Sequence, residues 1–349
     1  MGIPQKLEII KNKVLIIAEA GVNHNGDLEK ALQLIDIAAH AKADFVKFQT
    51  FKAKNLTSIN AEKVKYQKEN SETLESQFQM LEQLEIPEEW YPKLLLRCEE
   101  RGINFLSTGF DVNSIDFLDN IGQKLYKVSS GEITHKILLR KIAQKNKPVI
   151  ISTGMASINE IKDCLNVFYE EGLEKDKITV LHCTTAYPCP LEEVNLYAIK
   201  EMQQKLGLNI GYSDHTLGTE VSIAAVALGA TVIEKHITID KSLPGPDHKA
   251  SIEPAELNDL VKQIRSISVA ISGNGGKMPT SSELINKKQI RKSLNYASSF
   301  NKGKVLEESD LIALRPEVGI NPMFIDNLIG KILNKSVKKF QIVKMKDFK

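Results

Sequence analysis

The stretch LNIGYSDHTLGTEVSIAAVALGATVIEKH, Leu208 to His236, holds one complete structural unit. LNIGYSD is a short, mostly apolar run and reads as a strand buried on both faces. GTEVSIAAVALG follows as a tightly packed, Ala-rich helix, and TVIEKH reads as the next strand. Strand, helix and strand in direct succession imply a parallel pair joined by a helical crossover.

The same unit recurs outward from this stretch. VLIIAE (from Val14), DFVKFQ (from Asp44), INFLST (from Ile103), KLYKV (from Lys124), PVIIST (from Pro148) and ITVLHC (from Ile178) have the same character. DLEKALQLIDIAAHA, EWYPKLLLRCEERG and SINEIKDCLNVFYEEG supply helical patterns between them, and PAELNDLVKQIRSISVAIS starts a last helix near Pro254. Eight such strands alternating with helices predict an α/β fold, a (β/α)8 TIM barrel. An open doubly wound sheet is the alternative, but no GxGxxG follows the first strand. The barrel is expected to occupy residues 1–272. GNGGKMPTSSE opens a Gly/Ser/Pro-rich linker over 273–285. RKSLNYASSFNKG, LIALRP and KKFQIVKMKDF then predict a small, mostly β domain over 286–349. Leu7 to Asn12 is expected to form a short hairpin with the first strand. Phe51 to Pro87 is long for a strand–helix connection and is expected to carry its own helix over the site.

Composition narrows the function. The 349 residues carry a net charge of +2, so there is no global electrostatic case for nucleic acid or a membrane surface. The longest apolar run, Val221 to Ile233, falls short of the roughly 18 residues a spanning helix needs. MGIPQKLEII lacks the apolar core and cleavage site of a signal peptide, so a cytoplasmic location is expected. Cys98, Cys164, Cys183 and Cys189 form no CxxC pair and read as reduced thiols, with Cys183 in the core.

In a barrel the chemistry sits at the C-terminal ends of the strands. Those ends read Glu19, Lys47, Gln49, Ser107, Thr108, Lys127, Ser129, Ser130, Glu132, Ser152, Thr153, His182, Thr184, Thr185, Ser213, Asp214, His215, Glu234 and His236. Helix capping explains some of the Ser, Thr and Asp but not the lysines, glutamates and histidines. Lys47 and Lys127, with nearby hydroxyls and Gly131 and Gly154, suit a phosphate and a carboxylate. The competing reading pairs each lysine with a glutamate. His215 and His236, on successive strand ends, suit a divalent metal with open positions for water and substrate. His182 reads as a core histidine, and His40 as structural on a helix. His24 either binds substrate or stabilises its turn. PGPDH, Pro244 to His248, is a rigid turn aiming Asp247 at a polar ligand or simply closing the turn. The residues alone therefore imply a barrel lyase or transferase with a divalent metal, an anionic substrate and acid–base help.

The motifs carrying these residues resemble the sialic acid synthase family across essentially the whole chain. They are IAEAGVNHNGD (Ile17 to Asp27), VKFQTFKA (Val46 to Ala53), YKVSSGE (Tyr126 to Glu132), ISTGM (Ile151 to Met155), LHCTTAYP (Leu181 to Pro188), GYSDHTLG (Gly211 to Gly218) and EKHITIDKSLPGPDHKASIEP (Glu234 to Pro254). The C-terminal part resembles that family's antifreeze-like (SAF) domain. The resemblance implies condensation of phosphoenolpyruvate with an open-chain N-acetylated mannosamine, releasing phosphate. It implies Mn²⁺, with Mg²⁺ or Co²⁺ as alternatives, on His215 and His236. It gives phosphoenolpyruvate to Lys47, Thr108, Lys127, Ser130, Ser152, Thr185 and Ser213. It gives the sugar to Glu19, Gln49, Tyr187 and Asp247. It also implies a domain-swapped homodimer in which Arg315 reaches the partner's sugar. Glu132 is expected to activate water, with Glu19 as a second acid–base group. The sequence departs from the family pattern at Thr185 and His135, where Asn is common, and at Arg315-Pro316-Glu317-Val318-Gly319, where RPGNG is frequent. N-acetylneuraminate synthesis is the leading expectation. Legionaminate synthesis from 2,4-diacetamido-2,4,6-trideoxymannose is the alternative, and pseudaminate synthesis ranks behind both. A carbohydrate-binding protein on an inactive barrel, and an aldolase using Lys127 as a Schiff base, are the readings from other classes.

Overall fold

The computed structural model describes residues 13–59, 61 and 76–349. Eight parallel strands form one sheet: β1 Leu15–Gly21, β2 Phe45–Thr50, β3 Asn104–Gly109, β4 Tyr126–Val128, β5 Val149–Ser152, β6 Ile178–Cys183, β7 Asn209–Asp214 and β8 Val232–His236. The hydrogen-bonded order is β3-β2-β1-β8-β7-β6-β5-β4, and β3 and β4 at its two ends pack together. The first and last strands pair directly, Ile17 with Glu234 and Glu19 with His236. The chain is a (β/α)8 barrel, and all eight expected strands form.

Side chains on a strand alternate between faces, so residues two apart share the barrel interior. Ile17, Phe45, Leu106, Leu125, Ile150, Leu181 and Val232 make an apolar layer there. Two residues on, toward the C-terminal end, the same strands present Glu19, Lys47, Thr108, Lys127, Ser152, Cys183 and Glu234. β7 has Gly211 in the lower layer, because a Cβ there would lie 2.5 Å from Leu181 Cδ2 and 2.6 Å from Val232 O. The barrel therefore has an apolar floor and a polar upper layer. A larger apolar core lies outside the barrel, between strands and helices, and includes Ile16, Val46, Leu94, Leu138, Phe168 and Ile264. Burying each such side chain contributes about 1.5–3 kcal/mol.

The helices start where the sequence chemistry places them. Asp27 accepts from Glu29 N and Lys30 N at the start of Leu28–His40, and Ser157 forms a capping box with Glu160. In the connection after β2, the described residues form helices at Ala53–Leu56 and Gln77–Gln83. Met80 and Leu84 of this connection pack with Val22 and Phe51. The expected hairpin at Leu7 to Asn12 lies outside the described residues. No described helix is long and apolar enough to cross a membrane.

A second compact unit begins at Gly273. Its antiparallel pair, β9 Ser293–Tyr296 and β10 Leu311–Leu314, lies over a core of Leu294, Tyr296, Leu306, Leu328, Leu333 and Val343. Two expectations are corrected here. The linker over 273–285 gives way at Ser281 to a helix, Ser281–Ile290, because Thr280 and Glu283 form a capping box. KKFQIVKMKDF forms no full strand. It makes two isolated bridges, Ile342 to Asn295 and Phe348 to Leu333, and a 3-10 turn at Met345–Asp347.

Candidate active site

The upper layer of the barrel is a buried network of charges. Lys47 Nζ lies 2.8 Å from Glu19 Oε2 and 3.6 Å from Glu234 Oε2, and donates to Thr108 Oγ1 at 3.2 Å. Lys127 Nζ donates to Ser152 Oγ at 2.6 Å and lies 3.5 Å from Glu234 Oε1. Ser213 Oγ donates to Glu234 Oε1 at 3.0 Å. The contacts of Lys47 to the two Oε2 atoms are ion contacts without hydrogen-bond alignment. Both lysines thus face glutamates, as the competing sequence reading had it. The arrangement nevertheless gathers two ammonium groups around one carboxylate, Glu234.

Burial dominates the protonation states. It pushes the Glu19 carboxyl well above the ordinary range, against the pull of Lys47 and with help from Glu234. Glu234 is held low: burial opposes its charge, but the ammonium groups of Lys127 and Lys47 prevail. Burial lowers Lys127. With the Glu19 carboxyl raised toward its neutral form, Glu234 is the carboxylate held fully charged beside the two amines, so the cluster favours an incoming anion.

The two histidines stand beside this cluster. His215 Nδ1 donates to Thr184 O at 2.6 Å, which turns Nε2 toward Ser213 Oγ, 3.5 Å away. The ring centroids of His215 and His236 are 5.6 Å apart. Burial lowers His215 to about 4 and His236 well below its usual value, so both rings are neutral donors. His236 Nδ1 is buried without a hydrogen bond, 3.7 Å from Asp247 Oδ2. Among the described residues no group of three or more His, Cys, Asp and Glu is arranged to hold a metal. A pair of neutral imidazoles, one with an orphaned nitrogen, fits a metal completed by water and substrate.

The residues expected to meet a sugar converge around Gly21. A Cβ there would lie 3.3 Å from Glu19 Oε1, 3.4 Å from Gln49 Nε2 and 3.6 Å from Asp247 Oδ2. Gln49 also donates to Glu19 at 3.4 Å, and burial raises Asp247 to about 6. The Tyr187 ring lies 4.1 Å from His215 and 5.7 Å from His236, centroid to centroid.

Ser130 and Thr185 meet over Gly154. Gly154 N donates to Ser130 Oγ at 2.9 Å and to Cys183 Sγ at 3.1 Å. A Cβ on Gly154 would fall 2.1 Å from Thr185 Oγ1, so any side chain here would force the Thr185 hydroxyl to turn away. Cys183, read from the sequence as core, lines this spot. Glu132 stands apart from the ion cluster: its bond is to His135 Nδ1 at 2.6 Å. Arg315 belongs to the second unit, where it is exposed just past β10.

Other sequence candidates are structural. Buried His24 accepts from Gly26 N through Nδ1, which holds the turn after β1, and His182 Nε2 bonds Val194 O. Asn25 ties that turn to the PGPDH turn through Pro244 O and His248 Nε2. Sequence reasoning named Glu234 at a strand end but gave it no role. It faces both lysines, a pairing visible only once the barrel closes.

Comparison with known proteins agrees with this geometry. Residues 34–277 match the NeuB family model. The chain belongs to the NeuB family. As a member of it, the chain is a phosphoenolpyruvate-dependent nonulosonic acid synthase. It is 49% identical to an N,N'-diacetyllegionaminic acid synthase of Campylobacter jejuni over 95% of this chain and 99% of the relative. A second N,N'-diacetyllegionaminic acid synthase, from Legionella pneumophila, is 44% identical over 96% of each. Among solved structures, the N-acetylneuraminic acid (sialic acid) synthetase of Leptospira borgpetersenii matches with a TM-score of 0.69 and 36% identity. That match covers 78% of this NeuB-family chain and 90% of the other.

Proposed function

We propose that this enzyme condenses phosphoenolpyruvate with 2,4-diacetamido-2,4,6-trideoxymannose to make N,N'-diacetyllegionaminic acid. The observation that carries this acceptor is the 49% identity to a synthase of that name over nearly the full length of both chains. It reverses the order in which the sequence motifs alone ranked the two acceptors. N-acetylneuraminate synthesis is the second reading, favoured by 36% identity to the Leptospira synthetase.

Lys47 and Lys127, with Thr108, Ser152 and Ser213, hold the carboxylate and phosphate of phosphoenolpyruvate, the ammonium groups exchanging part of their glutamate contacts for the anion. Ser130, Thr185 and the Gly154 N–H offer further donors. Glu19, Gln49 and Asp247 receive the sugar's polar groups, and the Tyr187 ring packs beside the acceptor carbonyl. His215 and His236 would hold a divalent metal, Mn²⁺ with Mg²⁺ or Co²⁺ as alternatives, which would supply Lewis acidity at that carbonyl. Held in register, the methylene carbon of the enol phosphate attacks the aldehyde carbon. Water adds at the carbon bearing the phosphate, and phosphate leaves. Glu132, oriented by His135, takes the water's proton, and Glu19, whose hold on a proton burial strengthens, supplies one. The second unit acts as an antifreeze-like domain in a swapped homodimer, bringing Arg315 to the partner's sugar.

The test is the ratio of kcat/KM for the diacetamido-trideoxy sugar to that for N-acetylmannosamine. A ratio above about 10 supports the legionaminate assignment, since one well-placed polar contact is worth roughly 1–2 kcal/mol. A ratio below one returns the enzyme to neuraminate synthesis.

A further inference from the structure

Outside the barrel, directly behind the two histidines, lies a second buried charge pair. Asp214 and Lys235 are registered partners on β7 and β8, and each immediately precedes a histidine, His215 and His236. Strand alternation sends Ser213, His215, Glu234 and His236 inward and this pair outward, toward the helix Glu220–Ala227. Both are almost fully buried, at 0% and 1% exposure. Lys235 Nζ lies 2.9 Å from Asp214 Oδ2 and donates to Thr216 O at 2.8 Å. Asp214 also accepts from Thr216 N at 2.9 Å, Thr216 Oγ1 at 2.7 Å and Ser222 Oγ at 2.5 Å. The pair thereby holds the amide, hydroxyl and carbonyl of Thr216, the residue that follows His215.

A buried ion pair is a poor device for stability, since an apolar pair of the same volume often does as well. A pair this completely hydrogen-bonded does fix backbone geometry. We infer that Asp214 and Lys235 are positioning residues whose outward-facing pair sets the spacing of His215 and His236, and with it the affinity for a divalent ion. The inference rests on the reading of those histidines as metal ligands. The Nδ1 bond of His215 to Thr184 O aims the ring, and the Asp214–Lys235 pair holds the strand ends on which both rings stand.

The test is a Mn²⁺ titration of the full chain, following loss of the free-ion electron paramagnetic resonance signal. Three variants are compared: Lys235→Met, the milder Ser222→Ala, and Ile264→Ala as a destabilised control in the outer core. Lys235→Met is expected to weaken Mn²⁺ binding about 10-fold, the low end of what loss of a group bonded directly to a metal ligand costs, because Lys235 acts one contact further out. Ser222→Ala weakens it less but in the same direction, and Ile264→Ala leaves it unchanged. Wild-type affinity in Lys235→Met and Ser222→Ala overturns the inference. So does an equal loss in Ile264→Ala, which would mark a general effect of lower stability. If Lys235→Met does not fold, Ser222→Ala decides. Absence of Mn²⁺ binding by the unaltered protein would instead remove the metal reading itself.

Discussion

Gly154→Ala is the sharpest probe of the phosphoenolpyruvate site. The new methyl would lie 2.1 Å from Thr185 Oγ1, 3.0 Å from Ser130 Oγ and 3.2 Å from Cys183 Sγ. A carbon and a hydroxyl oxygen cannot approach to 2.1 Å, so Thr185 must turn away and Ser130 must give. Overpacking of this kind costs about 1–3 kcal/mol. If that cost falls on the bound state, it corresponds to about a 5- to 150-fold rise in KM for phosphoenolpyruvate. The assay is phosphate release with each substrate varied in turn. The expected result is a raised phosphoenolpyruvate KM and a nearly unchanged acceptor KM, with normal thermal unfolding. Thr185→Ala removes the closest clash, so adding Gly154→Ala to it should cost less than in the wild type. A folded Gly154→Ala enzyme with a normal KM for phosphoenolpyruvate would refute the placement of this substrate.

Lys127→Met removes a charged donor to the anion and should raise the phosphoenolpyruvate KM about 10- to 150-fold, at roughly 1.5–3 kcal/mol for a charge-assisted bond. Borohydride should trap no adduct on Lys127; an adduct would revive the Schiff-base aldolase. Arg315→Ala should raise the acceptor KM more than that of phosphoenolpyruvate, and equal changes would count against the swapped dimer. Burial holds His24 at about 4, against about 6.5 when unfolded. The unfolded chain binds the extra proton between those values, so the stability contributed by this site is complete above pH 6.5 and is lost as pH falls toward 4. In urea unfolding, wild type should lose up to about 3 kcal/mol more than His24→Gln over that window; parallel curves would show that His24 does not titrate there.

The barrel was legible because its strands are buried on both faces, which leaves uninterrupted apolar runs such as VLIIAE and ITVLHC. The convergence of Glu19, Lys47, Lys127, His215 and His236 was legible for a related reason: each ends an apolar run with a group that has no use in a core. The role of Glu234 was not, because its partners Lys47 and Lys127 come from remote parts of the chain and meet it only when β8 closes against β1. Cys183 sits in an apolar run and gave no sign that its sulfur meets Gly154 N. Asp214 and Lys235 point to the outer face, where only the pairing of β7 with β8 reveals them. The helix Ser281–Ile290 had a signal in TSSE, a capping box inside a stretch dominated by glycine and serine.

The most direct measurement is phosphate release from phosphoenolpyruvate by metal-stripped enzyme, with and without Mn²⁺ and with each acceptor sugar. The account predicts one phosphate per nonulosonic acid formed, only with Mn²⁺ and acceptor both present, and none from His236→Ala. Equal release by the metal-stripped enzyme, or by His236→Ala, would contradict it.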